Sequence, residues 1–149
     1  GPKVEALAKE GEANIELPKT HFDNLDFSFS GIKTAVINLN HKNPNINKAD
    51  LCASFEKATT EVLIENTLKA TKLIGLNKVV LAGGVSSNSY IRREFEKMGK
   101  ENGLQVYFPE LKLCTDNAAM IAMSGLCKFR LGMTCPIDVA PISRAADMK

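Results

Sequence analysis

The chain has 149 residues, 44% of them hydrophobic and 24% charged, with a formal net charge of +2. That length and balance describe one soluble globular domain and exclude disordered, collagenous and coiled-coil chains. A charge so near zero is no electrostatic footprint for nucleic acid, no apolar run reaches the roughly 18 residues of a membrane helix, and the start lacks the basic-then-apolar pattern of a signal peptide. Cys52, Cys114, Cys127 and Cys135 form no C-x-x-C pair and read as reduced thiols of a cytoplasmic protein.

The opening GPKVEALAKEG sets Val4, Leu7 and Ala8 at helical spacing and predicts a short helix stopped by Gly11. In DFSFSGIKTAVINL, Phe27 and Phe29 alternate with Ser28 and Ser30, which predicts a strand turning at Ser30-Gly31 into a helix from about Ile32. Ser30 is the expected N-cap there, with Lys33 exposed on the first turn. Phe27 and Ile32 stand where a P-loop needs glycine, so SGIKT is not a Walker A motif. After a loop at Asn43-Pro44-Asn45, Asn47 with Asp50 three residues on reads as an N-cap. Leu51, Phe55, Ala58 and Val62, then Leu63, Thr67, Ala70 and Ile74, trace one drifting apolar stripe on a helix of about seven turns, capped at Gly75.

Val79-Val80-Leu81-Ala82 is short and β-branched-rich, which predicts a strand covered on both faces and ended by Gly83-Gly84. Ile91, Phe95 and Met98 mark an amphipathic helix stopping near Gly103, and Gln105 to Phe108 form the next strand, closed by Pro109. Together these make a β-α-β unit. A last helix is expected from about Asp116 to Leu131, with small residues Ala118, Ala119, Ala122 and Gly125 on it and Gly132 ending it; 133–149 reads as an irregular tail. The fold class is α/β, a mostly parallel sheet flanked by helices.

Two segments could carry chemistry. LAGGVSSNS, residues 81–89, is a strand, a glycine pair and a helix start with small polar side chains. Such a junction lets backbone N–H groups approach a phosphate at the carboxyl end of a strand; equally, it is a tight turn that needs glycine. LCTDN, residues 113–117, sets Asp116 and Asn117 at a helix N-terminus, where Asp116 serves either as a cap or as one ligand of a metal. A metal needs partners, and the two histidines, His21 and His41, are neither close in sequence nor on a shared helix face. No Ser-His-Asp set, paired carboxylates or H-E-x-x-H occurs.

In series, GPKVEALAKEG, DFSFSGIKTAV, LAGGVSSNSYIR and LCTDNAAMIAMSG resemble the TsaD family over residues 1 to about 132. The resemblance implies a lobe of the ASKHA superfold shared by actin, heat-shock proteins and sugar kinases. It implies transfer of threonylcarbamoyl from threonylcarbamoyl-AMP to N6 of adenosine 37 in tRNA. By motif, Gly1 matches the second glycine of the family's P-G-G-P stretch at the adenylate, Gly83 and Gly84 match the glycine pair, and Asn88 the nucleotide-binding asparagine after it. Asp116 matches the aspartate that completes a site for a divalent metal, iron or zinc.

The family's other metal ligands, an H-x-x-x-H pair, have no counterpart in this sequence. Members are over twice as long, so 1–149 is expected to be the single C-terminal lobe of a two-lobe enzyme, inactive alone. The resemblance also implies a TsaB-like paralogue and a TsaE-like ATPase as partners, with tRNA. A HypF-like carbamoyltransferase domain favours N-D-G-G where this chain has Thr115-Asp116-Asn117-Ala118, and a non-catalytic TsaB-like scaffold lacks that aspartate context.

Overall fold

Helix α3, Lys48–Ile74, organises residues 1–115. The computed structural model describes residues 1–140. The Asn47 side chain accepts the backbone N–H groups of Ala49 at 2.9 Å and Asp50 at 3.4 Å, and Gly75 ends the helix in the left-handed region at φ 73°. Both caps fall where the sequence puts them. Leu51, Ala53, Glu56, Ala58, Thr60, Val62 and Asn66 are all buried, so α3 is covered on several faces rather than along one stripe. Its last turn departs from the expected stripe, because Leu73 and Ile74 are exposed.

Around α3 pack α1 (Pro2–Ala8), α2 (Ser30–Lys42) and α4 (Ser89–Asn102). One core joins Leu17 and Ile32 to Ala58 and Val62 of α3. A second joins Ile91, Phe95 and Met98 of α4 to Leu63, Ile64 and Leu68. Burying a side chain of this size is worth about 1.5–3 kcal/mol, so the predicted spacing of α4 is the spacing of its anchors.

Strands β1 (Lys78–Val80) and β2 (Gln105–Tyr107) pair in parallel, Val79 opposite Val106, with α4 as the crossover. This is the expected β-α-β unit. Gly99 lets α4 lie close to β2, since a Cβ there would stand 2.7 Å from Val106 Cγ2. Coverage on both faces is not found: Lys78 and Val80 are exposed while Val79 is half-buried, because α3 and α4 cover one face only.

Three local expectations are corrected. Phe27 and Phe29 form no strand; their rings stack at 6.0 Å, and the Asn66 side chain donates to the carbonyls of Leu25 and Asp26, which takes backbone acceptors a ladder would use. Phe29 is the N-cap of α2 and Ser30 its first residue, with no side-chain cap bond. Gly11 is not a left-handed stop, since α1 ends at Ala8. Gly11 is needed instead because a Cβ there would overlap the Ala49 backbone at the start of α3.

The chain divides into two compact units, Gly1–Thr115 and a second beginning at Asp116. In the second, α5 runs Ala118–Arg130, two residues inside its predicted start. It ends as predicted at Gly132 (φ 70°), with the Met133 N–H bonded to the Lys128 carbonyl and the Gly132 N–H to that of Phe129, a Schellman motif. Residues 133–140 form no helix or strand; the rest of the predicted tail lies outside the described residues.

Candidate functional site

The carboxyl end of β1 feeds a turn that only glycine makes without strain. Gly83 has φ 91°, and no atom lies within 4 Å of where its Cβ would point. A 3-10 turn, Gly84–Ser87, intervenes before α4 rather than the direct strand-to-helix step read from the sequence. Its serines close it locally: Ser86 Oγ donates to the Gly83 carbonyl at 2.7 Å and Ser87 Oγ to that of Gly84 at 2.6 Å.

Asn88 caps α4, its Oδ1 accepting the Ile91 N–H at 2.9 Å, while its Nδ2 donates to Glu56 Oε1 at 2.6 Å. It is half-buried. Beside it, Glu5 Oε1 accepts the Ser89 N–H at 3.0 Å and the Ser89 hydroxyl at 2.6 Å. These bonds, the hydroxyl first, hold the Glu5 carboxyl below its ordinary value of 4.5, and Lys9 adds to them. The N–H groups of Ser89 and Ile91 are therefore taken by Glu5 and Asn88. A phosphate at the start of α4 has to displace a carboxylate, so the open room at this turn lies at Gly83 rather than at the helix terminus.

Gly1 is exposed and starts α1, its carbonyl accepting the N–H groups of Val4 at 3.0 Å and Glu5 at 3.1 Å. A seven-residue helix is about 10 Å long, and the Glu5–Ser89 bonds hold α1, which Gly1 starts, at the start of α4 next to Asn88. An open cavity of about 310 Å³ borders this junction, lined by Lys9, Gly11, Glu56, Ser89, Tyr90 and Arg93. Arg93 lies over the Tyr90 ring at 4.9 Å, and burial first, with Glu94 second, raises the Tyr90 hydroxyl above its usual range.

On the other side, Arg92 ties the glycine turn to the loop after β2. Its Nε donates to the Ser86 carbonyl at 2.6 Å, and its Nη2 to the Pro109 carbonyl at 2.9 Å and to Cys114 Sγ at 3.1 Å; the guanidinium lies 4.9 Å from the Phe108 ring centre. Asp116 opens the second unit and is exposed. The cap of α5 is Asn117, whose Oδ1 accepts the Met120 N–H at 3.1 Å, so Asp116 is not the cap.

Glu5, Glu56 and Arg92 are absent from the sequence-predicted set. Glu5 falls beside the apolar spacing of α1 and reads as a solvent-facing acid. Glu56 carried a faint signal, standing with Ala53 and Thr60 at i, i+3 and i+7 along a second buried line of α3. Arg92 looks like half of a basic pair with Arg93, and only the fold separates their roles.

A parallel β-α-β unit with a glycine turn at a strand's carboxyl end defines an α/β protein, and in open α/β sheets that end is where ligands collect. The family model described as "TsaD: tRNA N6-adenosine threonylcarbamoyltransferase" matches residues 1–123, and the chain belongs to that family. It is 44% identical over 150 residues to the tRNA N6-adenosine threonylcarbamoyltransferase of Clostridium novyi (strain NT), covering 95% of this chain and 44% of the relative. With the protein of that name from Clostridium perfringens (strain SM101 / Type A) identity is 52% over 128 residues, 81% of this chain and 38% of the relative. With that of Thermosipho africanus (strain TCF52B) it is 42% over 139 residues, 90% and 42%. The chain thus spans about two-fifths of the length of the curated relatives it matches.

Proposed function

We propose that this chain is the C-terminal lobe of a two-lobed ASKHA-type enzyme that transfers threonylcarbamoyl from threonylcarbamoyl-AMP to N6 of an adenosine in tRNA. The observation that carries the reading is the family match through residues 1–123, which takes in the α1 start, the glycine turn and the Asp116 segment. In this reading Gly1, Gly83, Gly84 and Asn88 contact the adenylate. Gly83 supports it physically, because its missing side chain leaves room for close approach to backbone. Asn88 keeps one amide hydrogen and one lone pair beyond its bonds to Glu56 and Ile91.

The exocyclic amine of adenine is a weak nucleophile, so the reaction needs an activated carbonyl and a well-held AMP leaving group. A divalent metal, iron or zinc, supplies Lewis acidity when bound. Asp116 offers one hard oxygen toward it, but no group of three His, Cys, Asp or Glu side chains lies together among the described residues. Among the described residues the donors do not form a complete site, and no step is assigned through the metal. What this lobe does itself is hold and orient the nucleotide.

A TsaB-like paralogue, a TsaE-like ATPase and tRNA are the partners that follow, in the cytoplasm; among the described residues no helix is long and apolar enough to cross a membrane. The test is transfer of labelled threonylcarbamoyl from threonylcarbamoyl-AMP to unmodified tRNA. The full-length enzyme is expected to turn over and residues 1–149 alone to be inactive. A full-length enzyme that binds threonylcarbamoyl-AMP yet leaves tRNA unmodified, with its partners present, sinks the reading.

A further inference from the structure

We infer that Glu56 is a positioning residue that fixes the orientation of the Asn88 amide, an inference that rests on the reading of Asn88 as an adenylate contact. Glu56 sits in the middle of α3 and is only 8% exposed, an uncommon place for a carboxylate. Its Oε1 accepts from Asn88 Nδ2 at 2.6 Å, across 32 positions of chain. On its other side the Asn88 amide faces the Ile91 N–H, which can only donate. An acceptor on one side and a donor on the other permit one orientation of the amide and oppose its flip.

Capping alone does not require this. An asparagine cap needs only its Oδ1, whereas burying a carboxylate costs free energy that an apolar residue at this position of α3 avoids. The return on that cost is a fixed amide: of two hydrogens and two lone pairs, one of each is committed to protein, and the remaining pair is presented to a ligand in a set order. Glu56 also lines the cavity beside Ser89 and Arg93, next to the turn itself.

The test is calorimetric binding of AMP to the full-length enzyme and its Glu56→Met, Glu56→Gln, Asn88→Ala and Glu56→Met/Asn88→Ala variants. Methionine keeps the length and removes the strong acceptor, and AMP affinity is expected to fall about tenfold, the worth of one well-placed hydrogen bond. Glutamine keeps an acceptor oxygen and should stay within about twofold of wild type. The double variant should bind no more weakly than Asn88→Ala, since both changes remove one unit. If Asn88→Ala binds AMP normally, the adenylate reading fails and takes this inference with it. If Asn88→Ala is weakened while Glu56→Met binds like wild type, the positioning role alone is overturned. Should Glu56→Met not fold, Asn88→Asp and Asn88→Asp/Glu56→Gln replace it. Two facing carboxylates should lower the melting temperature and the glutamine should restore it; no restoration overturns the pairing.

Discussion

The Glu5 carboxylate accepts both the N–H and the hydroxyl of Ser89, joining the first helix to the start of α4 across 84 positions. Because these bonds favour the ionised carboxyl, Glu5 titrates below its ordinary 4.5 in the folded chain. A depressed folded value means stability that is present above the unfolded value and lost as pH falls through the folded one. In the full-length enzyme, Glu5→Gln should therefore melt lower than wild type at pH 7, with the gap closing below about pH 4.5. Melting curves from pH 7 to 3 check this; a gap independent of pH would mean the charge of Glu5 contributes nothing.

Arg92 makes its contacts through a planar fork that lysine cannot reproduce. One guanidinium bonds the Ser86 and Pro109 carbonyls and Cys114 Sγ and covers Phe108. Arg92→Lys should lower stability by about 1–3 kcal/mol, since half-buried carbonyls lose their donors. Cys114 is 3% exposed, and loosening this clamp should also speed its labelling by a thiol reagent. Denaturant unfolding and labelling rates indistinguishable from wild type would show that Arg92 does not hold the turn.

Gly11→Ala offers a test of a close approach that sequence alone misreads. The added Cβ overlaps the Ala49 backbone at the start of α3, which cannot yield cheaply. A loss of about 1–3 kcal/mol is expected from overpacking. Were Gly11 merely a helix stop, alanine would cost less, because its φ is not in the left-handed region. A urea titration separates the two.

Legibility followed the range of the interaction. The caps at Asn47, Gly75, Gly103 and Gly132 and the anchors Ile91, Phe95 and Met98 were readable because each depends on neighbours within two turns. The 27–29 segment misled because its alternation is strand-like, while Asn66, some 40 positions away, takes the carbonyls just before it. Gly83, Gly84 and Asn88 were found as a motif, but not the Glu5 and Glu56 carboxylates that surround it, since both reach it from other helices. Burial on both faces of β1 failed for the same reason: composition reports that a strand is apolar, not how many layers cover it.

Asp116 and Asn117 stand side by side, and the structure separates their work. Asn117 satisfies the Met120 N–H at the start of α5, so Asn117→Ala in the full-length enzyme should cost about 1 kcal/mol of stability. Asp116 is exposed and does not cap the helix, so Asp116→Asn should leave the melting temperature of the metal-free protein unchanged. If Asp116 is a metal ligand, the same change replaces a charged hard oxygen with a neutral amide and should strip the metal and the transfer activity together. The metal content of the purified variants, by elemental analysis, decides between the roles. Asp116→Asn that retains one metal per chain and a wild-type rate would remove Asp116 from the metal site, and a matching loss of metal in Asn117→Ala would show that the ordering of the helix start, not the Asp116 carboxylate, is what the metal requires.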